Sequence, residues 1–310
     1  MAVPMILDCD PGHDDAMAIL LAAADPAVDL LAITTVAGNS TLEKVTLNAR
    51  RICTVAGVRD IPIAAGADRP LQREPRIADD VHGESGMDGP AFGDPDVPLV
   101  DEDAVALMRR LVSESSEPVT LVPTGPLTNV ARLLIEHPEV RTGIREIVWM
   151  GGSTGRGNTT PYAEFNALVD PEAADQVVRS GVPFTMCGLN ITHQAAVTQD
   201  VVNRLRDIGT ELAEVCVELM TFFAGRYRDL FSFDAPPLHD PVAVARVVDP
   251  TLMRCVEANL VVETKGEWTS GATCVDLYGN TGRPANARVG VELDVERFWD
   301  RFVDAVRTLG

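Results

Sequence analysis

Short, continuous apolar runs alternate along this chain with longer stretches in which apolar residues recur every three or four positions. The short runs are Pro4–Asp8, Leu30–Val36, Val119–Pro123, Glu146–Met150, Phe184–Cys187 and Asn259–Glu263. Most are β-branched or apolar throughout, the pattern of strands covered on both faces. Helical spacing follows several of them, at Asp15–Ala24, Leu127–Ile135 and Pro171–Ser180. Strand followed by helix, repeated, predicts an α/β fold: an open, mostly parallel central sheet flanked by helices on both faces. A final amphipathic helix is predicted at Val295–Leu309, with Phe298, Phe302, Val303 and Val306 as its apolar stripe. The segment 64–98, rich in Gly and Pro, reads as a lid or a long connection. No repeat or low-complexity linker interrupts the pattern, so residues 1–310 read as one domain.

Polar residues with chemical potential gather where predicted strands end. In open α/β sheets that is the ligand-binding crevice, at the C-terminal ends of the strands. The first strand leads into Asp8-Cys9-Asp10-Pro11-Gly12-His13-Asp14-Asp15, four carboxylates in eight residues. Asp14 and Asp15 alone could be helix-capping acids, favoured near a helix N-terminus. Asp8 and Asp10 are harder to explain that way, because alternate carboxylates on an apolar strand are costly without a function. So much charge in one place repels itself unless protons or a cation neutralise it, and a hard divalent metal with oxygen ligands is the economical answer.

Three later segments add to this. Leu238-His239-Asp240-Pro241 precedes an apolar helical run, with Asp240 as predicted N-cap and Pro241 at the first helical position. There an Asp could ligate a metal while His239, one of five histidines, handles a proton. Asn158 to Asn166 supplies amides and the Glu164 carboxylate, a set suited to several sugar hydroxyls, ahead of a second helix start at Asp170-Pro171-Glu172. His82 stands in a glycine-rich loop that could close over a ligand or be a plain turn.

Composition narrows the partners. The chain has 310 residues, 46% hydrophobic and 23% charged, with a formal net charge of −20. That balance suits a soluble globular protein and argues against nucleic acid and anionic membranes, which need a basic face. Six scattered cysteines form no Cys-x-x-Cys pair, and no run reaches the length of a membrane span. A cytoplasmic location is expected.

With these pieces assembled, the chain resembles the nucleoside hydrolases, the inosine/uridine-preferring ribonucleoside N-ribohydrolases. The likeness rests on the Asp8–Asp15 stretch, Asn39, the His82 loop, Thr124-Gly125-Pro126, Met150-Gly151-Gly152, Ala163-Glu164-Phe165-Asn166 and His239-Asp240-Pro241, in the family's order. The opening motif and the Val81-His82-Gly83-Glu84-Ser85-Gly86 loop look most like pyrimidine-preferring members, which implies uridine and cytidine, with inosine as the other candidate. The resemblance implies a calcium ion held by Asp10, Asp15, Asp240 and the Thr124 carbonyl. It sets the substrate against Asp14, Asn39, His82, Met150, Asn158, Glu164 and Asn166. Asp10 would be the general base toward water, and His239 would protonate the departing base. Phe222, Phe223, Tyr227 and Phe231 are expected near the base, and the protein is expected to be a homodimer or homotetramer.

Two other classes compete. An apolar strand ending in Asp-x-Asp also opens haloacid-dehalogenase-like phosphatases, but there the motif continues Gly-Thr, where this chain has Pro11-Gly12. A non-catalytic, calcium-dependent nucleoside or sugar binder would share the same ligands.

Overall fold

The sheet reverses direction of growth at its first strand. In the computed structural model, which describes residues 2–310, β1 (Val3–Cys9) is followed by β2 (Val28–Thr35) and β3 (Ile63–Ala65) on one side. The chain then crosses to the other side of β1 and adds β4 (Val119–Pro123), β5 (Ile144–Met150) and β6 (Phe184–Cys187). Strands β7 (Met253–Val262), β8 (Thr273–Asp276) and β9 (Ala287–Leu293) complete the order β3-β2-β1-β4-β5-β6-β9-β7-β8. The pairings from β3 through β9 are parallel, while β7 runs antiparallel to both β9 and β8. The switch between β1 and β4 opens a crevice at their C-terminal ends, next to Asp10 and Thr124.

Period-two alternation divides the core. Met5, Leu7 and Cys9 of β1 face the helices His13–Ala24, Leu42–Val55, Asp240–Val248 and Val295–Leu309, whereas Ile6 faces Ala104–Glu114, Thr128–Glu136 and Pro171–Val178. Both faces are therefore covered, as the uninterrupted apolar runs require. The last helix buries Phe298, Phe302, Val303 and Val306 as predicted, and Trp299 with them. Full burial of each Phe contributes about 1.5–3 kcal/mol.

Three strands lie outside the predicted runs. β3 has only three residues, β8 only four, and β9 carries Gly290 in its interior. The predicted run at Asn259–Glu263 is the end of the ten-residue β7, whose exposed Arg254 and Glu257 break the apolar pattern. Among the described residues, no helix is long and apolar enough to cross a membrane.

Candidate active site

The apolar run of β1 ends in an edge the sheet cannot satisfy with carbon. Asp8, still in the strand, takes hydrogen bonds on Oδ1 from Thr34 Oγ1 at 2.7 Å and Asn129 Nδ2 at 2.8 Å. Its burial pushes it up to about 7 against those two bonds, and its Oδ2 has no partner. No other carboxylate is among the groups acting on it, so Asp8 stands apart from the acids that follow.

Asp10 lies just beyond the strand. Its Oδ2 accepts from the Asn39 backbone at 2.7 Å, while its fully buried Oδ1 has no partner. The bare Cα of Gly125 makes room for that carboxylate, since a Cβ there would stand 2.6 Å from Oδ1. Asp15 is the opposite case, with hydrogen bonds to both of its oxygens. Its Oδ1 accepts from Thr124 Oγ1 at 2.8 Å and Asp10 N at 3.3 Å, and its Oδ2 from Gly12 N and Asn39 Nδ2, both at 3.1 Å. The Gly12 contact is half of a capping box at the start of helix His13–Ala24. Asp15 is thus both a helix cap and part of the acidic cluster.

Asp240 was expected as an N-cap, but the helix begins one residue earlier. Asp240 is its first residue, His239 is the cap position, and neither side chain caps the helix. The Asp240 carboxylate is free to turn to Asp14 and Asp15, and oxygens of these three buried residues lie within 4.8 Å of one another. Burial raises all of them above the ordinary carboxylate range, and their mutual repulsion adds to it for Asp10, Asp14 and Asp240. Burial, with Asp15 beside it, takes Asp14 up to about 7. Among the described residues, no lysine or arginine forms an ion pair with any of these four acids. Buried carboxylates without a cationic side chain, one with an orphaned oxygen, fit an added cation, and an all-oxygen donor set suits a hard one. Asp14, expected against the ribose, belongs to this cluster and also lines the cavity above it.

That cavity has a volume of about 490 Å³. It is lined by Asp14, Asn39, His82, Thr124, Met150, Asn158, Glu164, Asn166, His239 and Asp240, among others. The structure therefore collects the predicted site residues in one place, with Asp10 and Asp15 fully buried and outside the lining.

The hydrogen bonds already made leave a defined set of free groups. Asn166 Nδ2 donates to the carbonyls of Thr124 at 2.7 Å and Met150 at 3.0 Å, so its Oδ1 remains as an acceptor. Asn158 Oδ1 accepts from Phe165 N at 2.9 Å, which leaves its Nδ2 as a donor. Asn39 spends Nδ2 on Asp10 O and Asp15 Oδ2 and keeps Oδ1. Glu164 caps the helix Phe165–Val169 and takes three backbone N–H groups, from Gly152, Asn166 and Ala167, yet burial still pushes it up to about 7. Donors and acceptors at fixed positions match a polyhydroxylated ligand.

The opposite wall is aromatic, with Phe223, Tyr227 and Phe231 in the lining. Tyr227, from the helix Glu211–Phe231, places its Oη 2.8 Å from His239 Nε2. Thr192 Oγ1 holds His239 Nδ1 at 2.7 Å. Burial lowers His239 to about 3, so it is a neutral imidazole at ordinary pH. Tyr227 lay within the aromatic stretch expected near the base, whereas nothing local marks Thr192. His13, inside the acidic motif, stacks its ring on that of His82, a partner that the motif itself does not indicate.

A sequence model of the inosine-uridine preferring nucleoside hydrolases matches residues 5–300. Over 309 residues the chain is 50% identical to the pyrimidine-specific ribonucleoside hydrolase RihA of Shewanella woodyi, covering 99% of each chain. It is 49% identical over 308 residues to the protein of the same description from Escherichia coli (strain K12), again with 99% of each covered. Among solved structures, the purine-preferring ribonucleoside hydrolase from Gardnerella vaginalis superposes with a TM-score of 0.92 at 32% identity, covering 99% of this chain and 98% of that one.

Proposed function

The chain belongs to the inosine-uridine preferring nucleoside hydrolase family, enzymes that cleave the N-glycosidic bond of ribonucleosides, and from that premise we propose that it hydrolyses uridine and cytidine with calcium as its metal. One observation carries the reading. The buried Asp14–Asp15–Asp240 oxygen cluster reaches, through Asp14 and Asp240, the same cavity that Tyr227 and His239 line.

Asp10, Asp15, Asp240 and the Thr124 carbonyl would hold the calcium ion, with Asp14 close enough to join them. When bound, calcium offsets the carboxylate repulsion and makes a water more acidic. Asp10 has an unpartnered Oδ1, and we assign it the proton of the attacking water. Asn39 Oδ1, Asn158 Nδ2, Glu164 and Asn166 Oδ1 orient the ribose hydroxyls, with Met150 packed beneath Asn166. The surrounding carboxylates favour the positive charge that develops on the ribosyl ring as the bond to the base breaks. The departing base takes its proton from the Tyr227–His239 pair. The pyrimidine preference is supported by the two relatives that share half of this chain's residues and are described as pyrimidine-specific. Self-association into a homodimer or homotetramer is part of the same reading. Trp268 and Tyr278, 77% and 89% exposed next to β8, support it, and light scattering of the purified protein tests it.

Assaying reducing sugar released from a nucleoside panel, with calcium or with a chelator, tests the function. Uridine and cytidine should be cleaved faster than inosine, and only with the metal restored. Deoxyuridine should react slower by on the order of 100-fold or more, because the groups that pair with the missing hydroxyl are left unmatched. A preference for inosine overturns the pyrimidine assignment. Nucleoside binding without ribose release would make the protein a binder, and phosphate release from phosphoesters alone would make it a phosphatase.

A further inference from the structure

Two walls of the cavity come from distant parts of the chain. Ile77, Asp80 and His82 line it from an arch, 74–83, that contains the one-turn helix Asp79–His82. Phe223, Tyr227 and Phe231 line it from the long helix Glu211–Phe231. Arg226 is in neither lining, yet it joins them. Its Nε donates to the Asp80 carbonyl oxygen at 2.7 Å, and its terminal NH2 group donates to the same oxygen. Among the described residues, no other hydrogen bond links the arch to the long helix.

The arch depends on that bond because it has few others. It is anchored just before its start, where Arg73 pairs with Glu172 at 2.7 Å, and just after its end, where the Ser85 carbonyl accepts from Asn48 Nδ2 at 3.1 Å. Between these anchors the main chain of 74–81 is hydrogen-bonded to the rest of the molecule at two points. One is Ala78 N donating to the Asn39 carbonyl at 3.0 Å, and the other is Arg226. A helix leaves its last carbonyls without a partner of its own. The N–H groups of Val81, His82 and Gly83 go to the carbonyls of Ala78 and Asp79, so the Asp80 carbonyl is open to the guanidinium. Two donors in one plane on one acceptor, with the donor charged, make a strong and directional tie. Its two ends adjoin the base pocket. Tyr227 follows Arg226 on the helix, and His82, two residues after Asp80, stacks on Phe223 with ring centroids 5.7 Å apart.

We propose that Arg226 is a positioning residue that sets base selectivity: its hold on the Asp80 carbonyl keeps the arch at the distance from Phe223 and Tyr227 that suits a single pyrimidine ring, and releasing it admits the wider two-ring purines. This rests on the proposed hydrolysis of pyrimidine nucleosides. Arg226 touches neither the ribose groups nor the acidic cluster, so its influence falls on the base end of the substrate. Misplacing a pocket wall by about 1 Å is enough to cost up to about 100-fold in rate.

Arg226→Met keeps the aliphatic stem and removes both donors. It should lower kcat/KM for uridine about tenfold, equivalent to ~1.4 kcal/mol, and leave that for inosine unchanged or higher, with inhibition by free ribose unaltered. Arg226→Lys, whose ammonium falls where the guanidinium carbon stands, keeps a donor and should restore most of the uridine activity. A Met variant that matches wild type, an equal fall for uridine and inosine, a parallel weakening of ribose, or a Lys variant as impaired as the Met variant each overturns the proposal. Amide hydrogen exchange of the calcium-loaded protein reads the tie without any substrate. The amides of Ala78, Val81 and His82 should exchange about tenfold faster in the Met variant, because opening the arch then costs less, and unchanged exchange overturns the proposal. If the wild-type protein prefers inosine or releases no ribose, the pyrimidine reading has failed, and the exchange measurement alone decides whether Arg226 ties the two walls.

Discussion

Tyr227 Oη and His239 Nε2 are 2.8 Å apart, so His239 meets the substrate only in company. With Nδ1 held by Thr192, both its ring nitrogens are committed within the protein. The Thr192 hydroxyl can donate to Nδ1, Nε2–H to Tyr227, and Tyr227 O–H to the base. Thr192 ends the short helix Leu189–Thr192, Tyr227 lies in Glu211–Phe231 and His239 stands at the cap position before Asp240–Val248, so one chain of donors leads to the cavity.

Tyr227→Phe removes the last donor of that chain and keeps the ring packing against Phe223 and Phe231. We expect kcat for uridine to fall by about 100-fold, the lower end of general-acid contributions, with ribose inhibition little changed. Steady-state kinetics check this. Loss of only two- or three-fold would show that the base leaves without help from this pair.

Asp10→Ala deletes the unpartnered carboxylate and the acceptor of the Asn39 backbone N–H. Ribose release from uridine should drop by at least about 100-fold, with circular dichroism unchanged. A few-fold fall in a folded protein removes Asp10 from the role of base. Calorimetry on the same variant measures its share in holding calcium.

Metal removal should make stability depend on pH. Asp8, Asp14 and Glu164 stand at about 7 in the folded chain, well above the ordinary values of free carboxylates. Between pH 5 and 8 the metal-free folded protein therefore binds more protons than the unfolded chain, and its stability falls as pH rises through that window. Calcium offsets the penalty once the acids ionise, and its binding should release protons. Thermal melts with a chelator should show Tm dropping from pH 5 to pH 8, with the calcium-induced rise in Tm larger at pH 8. A chelated protein equally stable across the range contradicts this account.

Asn129→Ala strips a donor from Asp8 and from the Thr35 carbonyl, and an acceptor from Ala67 N. Leaving such groups buried and unpaired costs about 1–3 kcal/mol each. Urea unfolding should show a loss of that order or more, with KM for uridine nearly constant, since Asn129 lies outside the cavity. A large KM change with little loss of stability would mean that Asp8 acts on the substrate.

Some of this was written locally in the chain and some was not. The unbroken apolar runs of β1, β4 and β5 announced buried parallel strands, and the acids at 8 to 15 announced charge in need of neutralisation. Asn158, Glu164 and Asn166 read as a hydroxyl-binding set, and they line one cavity with Asn39. The antiparallel end of the sheet was less legible, because β7 and β9 are half exposed and mix charge and glycine into their pattern. Asp240 is the first residue of its helix and not its cap, so its carboxylate joins the acidic cluster and does not close the helix end.

The sequence by itself determined the α/β order, the strand ends that carry polar residues and the family, because hydropathy period and motif spacing are properties of neighbours along the chain. Only the tertiary structure decided which partner each side chain meets. Asp15 finds the Thr124 hydroxyl 109 residues away, His82 finds His13 across 69, and His239 finds Thr192 across 47. Local pattern carries no record of such distances. A carboxylate, an imidazole or a hydroxyl takes its role from the donors and acceptors packed against it, and burial makes leaving any of them unmatched costly.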